Sequence, residues 1–280
     1  MERSLKKYFP IFVLPTLIAF IIAFVVPFLL GIGLSFTEFT TVSDAKWIGL
    51  KNYSRIFEDK SFLHALGFTC CFAIVSVLTI NVFAFLLALL LTRGLKGTNI
   101  FRTVFFMPNL IGGIVLGYIW SLILNGVLAR WGVTITYDPK YGFWGLVILM
   151  NWQLIGYMMI IYIAGIQGVP DSLIEAAKID GASAGHILRS VIIPMVMPSI
   201  TICMFLTISN SFKLFDQNLA LTAGAPAEKT VMMALDIYNT FYGRTGWAGV
   251  GQAKAVVFFI IVALISLPQL LTTRQKEVEN

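Results

Sequence analysis

Six apolar stretches, roughly 9–36, 67–91, 104–124, 143–165, 191–212 and 252–271, constrain this chain more than any other feature. Each is long enough, at about 1.5 Å of rise per helical residue, to cross a hydrocarbon core about 30 Å thick. They leave only 12% charged residues over 280 positions and a mean hydropathy of +0.85. A soluble domain carries roughly 25% charged residues, and a water-soluble fold of this size could not cover its surface with so few. The expected fold class is therefore an all-α integral membrane protein with six transmembrane helices, one transmembrane domain over residues 1–280.

The first stretch follows Arg3, Lys6 and Lys7, like the start of a signal peptide, but it is too long and no small-residue cleavage site follows it. It reads as a retained signal anchor. An even number of spans puts both termini on one side. The 92–103 loop carries Arg93, Lys96 and Arg102 without an acid, which marks it and both termini as cytoplasmic. The segments 37–66, 125–142 and 213–251 then face outward, and the 166–190 loop faces the cytoplasm. The formal charge of +6 is accounted for by basic residues flanking the spans, so membrane lipid and not nucleic acid is the expected surrounding.

The cores of the six stretches read as free of Asp, Glu, Lys and Arg. A proton-driven pump usually keeps an ionisable group in mid-membrane, so that mechanism is disfavoured, sodium coupling through backbone carbonyls less so. Pro15, Pro27, Pro108, Pro194, Pro198 and Pro268 each remove a helix hydrogen bond, which a bilayer tolerates where protein or a water-filled cavity satisfies the freed carbonyl. Neutral polar residues recur at helical spacing: Gln153 with Tyr157, and Thr207, Asn210, Ser211 with Leu214 at i, i+3, i+4, i+7. Two readings stand. One is a pocket for a neutral, hydroxyl-rich solute, whose hydroxyls donate and accept as amides do. The other is hydrogen bonding between packed helices.

Signals for catalysis are missing. There is no phosphate-binding loop, no H-E-x-x-H and no G-x-S-x-G, and His64 and His186 lie far apart. Cys70, Cys71 and Cys203 have no metal-ligand spacing, and a disulfide framework is not expected. Gly31-Ile-Gly33 lies inside a span, and Asn52-Tyr53-Ser54 matches a glycosylation sequon, a pattern too short to carry weight. The chain reads as a non-enzyme with no cofactor of its own.

The cytoplasmic segment Pro170 to Pro198, PDSLIEAAKIDGASAGHILRSVIIPMVMP, is the most informative. Pro170 starts a helix, and Ser172 with Glu175 has the spacing of a capping box. Ala176 and Ala177 extend it with little bulk, and Gly181 is placed to end it. A second, amphipathic helix with Ile187, Leu188 and Arg189 then leads to Pro194. The expectation is a short helix across the cytoplasmic face, small enough in its side chains to let another protein approach.

Glu175-Ala176-Ala177, Asp180-Gly181-Ala182 and Pro194 together resemble the EAA loop of binding-protein-dependent ABC importer permeases. Gly49 to Tyr53, Arg102 to Trp120, Phe212 to Pro226, Ile237 to Asn239 and Gly249 to Ala255 are similar to the carbohydrate branch, the first of two permeases in maltose and multiple-sugar importers. The compact six-span form resembles that of Gram-positive bacteria, and the cytoplasmic membrane is the implied location.

The resemblance implies the type I ABC importer permease fold and a transmembrane permease subunit of an ATP-driven oligosaccharide importer. It implies a second homologous permease, two cytoplasmic ATPase subunits that bind ATP and Mg, and an extracellular sugar-binding protein. It further implies coupling to the ATPase through Ser172, Glu175, Ala176, Ala177, Asp180, Gly181 and Ala182. Substrate binding would fall to Gln153, Tyr157, Thr207, Asn210, Ser211 and Leu214. Met150, Leu154 and Leu214 depart from the polar or glycine positions of the maltose type. Glycerol phosphate is an alternative solute, with Lys213 as the one basic group near the pathway, and a stand-alone secondary transporter is a further alternative.

Overall fold

The computed structural model describes residues 2–94 and 96–275, with side chains described for residue 9, residue 11 and from residue 13 onward within that range. Sixteen labelled elements follow in order among them: α1 (Glu2–Phe20), α2 (Val26–Leu34), β1 (Thr37–Glu38), β2 (Lys46–Trp47), α3 (Lys51–Glu58), α4 (Lys60–Leu91), α5 (Thr98–Phe106) and α6 (Gly113–Leu128). The second half contains α7 (Pro139–Gln167), α8 (Asp171–Ile179), α9 (Ala184–Ile187), α10 (Ile193–Met195), α11 (Met197–Phe212), α12 (Asp216–Leu221), α13 (Met233–Gly243) and α14 (Ala248–Arg274). Among the described residues, five helices are long and apolar enough to cross a membrane, or six if the bent pair Ala184–Met195 and Met197–Phe212 is one span. The basic side chains Arg3, Lys6 and Lys7 lie outside the described residues.

Prolines decide where the spans are interrupted. The third expected span, 104–124, is not one helix: α5 ends at Phe106, a 3-10 turn covers Met107–Leu110 around Pro108, and α6 starts at Gly113. The fifth, 191–212, is bent by 70° between Met195 and Met197. A π turn at Leu188–Ile192 brackets the Ser190 carbonyl that the ring of Pro194 would strike, and another at Ile21–Val25 does the same for Pro27. Pro268, by contrast, lies inside the continuous α14.

The described residues form two compact units, one drawn from Met1–Phe62 and Ile237–Phe259, the other from Leu63–Asp236 and Ile260–Asn280. In the first, β1 and β2 pair antiparallel with Thr37 opposite Trp47 and Glu38 opposite Lys46. Asn52 is buried and donates to the Ser35 and Thr37 carbonyls at 2.9 and 2.8 Å, a structural use of the sequon residue. Gly249 lets the start of α14 approach the Thr37 carbonyl, where any Cβ would collide.

The same unit corrects the expectation of charge-free spans. Lys254, in the second turn of α14, is fully buried, and its Nζ donates to Asp59 Oδ2 and Thr240 Oγ1, each at 2.8 Å. Arg244 joins the same carboxylate at 3.1 Å, and the Asp59 Oδ1 accepts from the Ser61 N–H at the start of α4. The stretch 252–271 therefore does carry a charge, neutralised where it enters the apolar region.

In the second unit α7 is the most enclosed span: 61% of its apolar window is buried, against 6% for the windows in Val13–Leu34 and Ala248–Arg274. Asp138 accepts from the Lys140 N–H at 2.8 Å and Pro139 takes the first helical position, which starts α7 sharply. Leu146, Leu149, Met150, Met158, Met159 and Tyr162 make its core, packed with Phe72 and Ile80 of α4 and Cys203 of α11. The free cysteines Cys70, Cys71 and Cys203 remain unbridged. Gly156 is required: a Cβ there would overlap the Phe105 carbonyl, where α5 crosses α7.

Candidate functional site

A cavity of about 460 Å³ opens among α7, α11, α12 and the turn at Pro108. Four amides line it from four elements: Asn109, Gln153, Asn210 and Gln217. Tyr157 and Lys213 add a phenol and an ammonium, and Met150, Leu154, Leu206 and Leu214 supply the apolar part of the wall. No carboxylate belongs to this lining. Gln217 Nε2 donates to Gln153 Oε1 at 2.8 Å, so two of the amides hold each other.

Of the six residues expected to bind substrate, the cavity gathers Gln153, Tyr157, Asn210 and Leu214. Thr207 and Ser211 are fully buried and outside its lining. Thr207 Oγ1 donates to the Cys203 carbonyl at 2.6 Å and receives Asn81 Nδ2 at 3.3 Å, while the Tyr162 hydroxyl donates to Asn81 Oδ1 at 2.7 Å. Ser211 donates to the Thr207 carbonyl at 2.8 Å. Thr207 belongs to a buried network in which Asn81 ties α4, α7 and α11, while Ser211 bonds back to its own helix and lies against Met150 Sδ of α7 at 3.9 Å. The supposed single face also ends early, because α11 stops at Phe212 and Leu214 lies beyond its cap.

Asn109 and Gln217 were absent from the sequence-based set. The signal for Asn109 was its place directly after Pro108, in a broken span. Gln217 lies on a short helix that glycines seat: a Cβ on Gly113 would come within 2.7 Å of the Asp216 Cβ, and one on Gly117 within 2.6 Å of the Ala220 Cβ. From within α12, Asn218 braces the loop that follows, donating to the Thr230 carbonyl at 2.8 Å and accepting from the Met232 N–H at 3.0 Å.

The second feature is the 170–183 turn. α8 spans Asp171–Ile179 with Pro170 as its N-cap residue, so the expected capping box does not form: Ser172 lies inside the first turn and no side chain caps the helix start. Pro170, fixed in extended geometry, already occupies the cap position. The C-terminal end follows expectation. Gly181 has φ +78°, its N–H bonds the Lys178 carbonyl at 3.1 Å, and the Ala182 N–H bonds the Ala177 carbonyl at 2.9 Å, the paired closure of a Schellman motif. Ser183 then caps α9, accepting from the His186 N–H at 3.3 Å, and a π turn replaces the rest of the expected amphipathic helix.

Ile174 of α8 packs against the core, whereas Ser172, Glu175, Ala176 and Asp180 are exposed and Ala177 and Ala182 half-buried. Ile179 is 86% exposed at the end of the helix. A short helix anchored on one side by Ile174 and closed by a left-handed glycine thus presents small, acidic and apolar side chains outward.

Residues 80–273 match the family described as binding-protein-dependent transport system inner membrane component. The chain is 45% identical, over 96% of its length and 94% of the relative's, to the "Probable starch degradation products transport system permease protein AmyD" of Thermoanaerobacterium thermosulfurigenes. It is 28% identical, over 99% of each chain, to the multiple sugar-binding transport system permease protein MsmF of Streptococcus mutans. Its fold matches a chain of a solved bacterial ABC transporter involved in import of the acidic polysaccharide alginate, with a TM-score of 0.82 over 98% of each chain at 20% identity. A family match over most of the chain, a close relative along nearly its whole length and a shared permease fold agree: the chain belongs to the family of inner membrane components of binding-protein-dependent transport systems, the permease subunits of ABC importers.

Proposed function

We propose that this chain is the permease subunit of an oligosaccharide importer, that its amide-lined cavity holds the sugar in passage, and that the 170–182 turn receives the push of the ATPase. The observation that carries the sugar reading is the cavity itself: four amides, a tyrosine and one ammonium, Lys213, without a carboxylate, against an apolar wall of Met150, Leu154, Leu206 and Leu214. Amides both donate and accept, as sugar hydroxyls do, and an aromatic ring offers its flat face to the sugar's C–H surface. The starch-product and multiple-sugar transport named for the two relatives supports the same class. Gln153, Tyr157 and Asn210 are the proposed polar contacts, with Leu214 on the apolar side.

The proposed assembly pairs this chain with a second permease, two cytoplasmic ATPase subunits that carry ATP and Mg, and an extracellular sugar-binding protein, in a bacterial cytoplasmic membrane with both termini inside. Ser172, Glu175, Ala176, Ala177, Asp180, Gly181 and Ala182 form the proposed coupling element. Ala176 and Ala177 permit close approach, Glu175 and Asp180 offer exposed carboxylates, and Gly181 sets the turn. Closure of the ATPase pair displaces α8, and the bend at Val196 lies where the span beyond it can respond as a rigid body.

The test is purification of the tagged chain from its native membranes in mild detergent, with identification of what comes with it. A second permease carrying an EAA-type loop and an ATPase with a phosphate-binding loop are expected. A single chain that still moves maltotriose in liposomes without ATP would overturn the proposal.

A further inference from the structure

Gln153 is nine-tenths buried in α7, and a buried amide of this kind requires partners. Its Oε1 accepts from Gln217 Nε2 at 2.8 Å. Gln217 is itself held: it sits on α12, which Gly113 and Gly117 seat against α6, and a Cβ on Gly113 would reach within 3.0 Å of the Gln217 amide. The pair therefore joins two firmly placed elements across one side of the cavity, and a contact residue on rigid elements holds its geometry better than one on a loop. The single bond uses one N–H of Gln217 and one lone pair of Gln153, leaving further donors and acceptors on both amides.

From this geometry we infer that Gln217, which helical spacing did not single out, contacts the solute, and that Gln153 and Gln217 act together as a clasp for adjacent hydroxyls. Both line the cavity, facing it along with Asn109 and Asn210. A pair of neighbouring hydroxyls, each able to donate and accept, matches the alternating groups that the paired amides present. The inference rests on the sugar reading of the cavity and adds to it a residue and the chemical feature it reads.

The experiment uses the complete, detergent-purified importer and measures maltotriose affinity by titration calorimetry in the absence of the binding protein, for the unaltered protein and for Gln217→Met, Gln217→Glu and Tyr157→Ala. Met keeps the length and flexibility of Gln without its hydrogen bonds. Loss of one or two such bonds should weaken maltotriose about three- to tenfold in Gln217→Met, whereas Gln217→Glu, which still accepts, should bind more tightly than Gln217→Met. If Gln217→Met fails to assemble, Gln153→Met tests the other side of the clasp by the same readout. An unchanged affinity in the Met variant alongside a weakened Tyr157→Ala overturns the clasp and leaves the cavity reading standing. Maltotriose binding unaffected by all of these, or absent in the unaltered protein, overturns both.

Discussion

Asp59 shows how much a single side chain organises here. Burial alone would raise its carboxyl, but the hydrogen bond and charge of Lys254, the Ser61 N–H and the Arg244 guanidinium outweigh it and hold the group below the ordinary carboxylate range. The folded value is depressed, so its stabilisation is complete above the unfolded carboxylate range and is lost as pH falls through the depressed value. Asp59→Asn leaves a fully buried ammonium facing a neutral amide, and removing one partner of a buried pair costs about 3 kcal/mol. The expected outcome is a clear fall in the thermal unfolding midpoint of the detergent-purified protein at neutral pH, with the gap to the unaltered protein narrowing in acid. Equal midpoints at neutral pH would mean that the ion pair is decorative. None of this was legible along the chain, because Asp59 and Lys254 are 195 residues apart and only folding brings them to 2.8 Å. Thr207 and Ser211 failed as cavity residues for a related reason. Periodicity says which side chains share a face, and only the neighbouring α4 and α7 decide whether that face meets protein or open space.

At the scale of the element, α8 and its closing turn follow local rules almost completely. Gly181 has no atom within 4 Å of where a Cβ would stand, so the need for glycine there is set by its φ of +78° and not by crowding. Gly181→Ala should therefore cost only about 1 kcal/mol in the local turn, leaving the spans intact. Gly181→Glu adds a charged side chain at the end of the exposed helix. Expected is a permease that reaches the membrane in normal amount but takes up sugar at a small fraction of the unaltered rate, with the ATPase still turning over. Normal uptake in that variant would sink the coupling role of the turn. The bent spans teach the complementary lesson. Prolines lie beside the breaks, with Pro108 in the 3-10 turn and Pro194 and Pro198 on either side of the bend at Val196, yet Pro268 lies inside a continuous helix. A proline specifies the missing hydrogen bond, and the packing around it specifies whether the helix bends.

Across the whole molecule, the arrangement predicts a sidedness that fusions can read. The Arg93–Arg102 segment and α8 should face the cytoplasm, and the 125–142 segment the outside. Alkaline phosphatase joined after Arg93 should stay inactive, and joined after Trp131 it should be active; the reverse pattern would invert the topology and put α8 out of reach of any ATPase. The sequence by itself determined the membrane class, most of the apolar helices and the glycine-closed turn after α8, because apolar length and glycine geometry act over a few residues and need no distant partner. It also singled out Tyr157, Gln153 and Asn210, which line the cavity. Only the tertiary structure decided which polar side chains face the cavity, that Asn109 and Gln217 join them, and that Lys254 is buried against Asp59. A buried polar group must be satisfied by whatever the fold brings beside it, and that neighbour is set by three-dimensional packing, not by spacing along the chain.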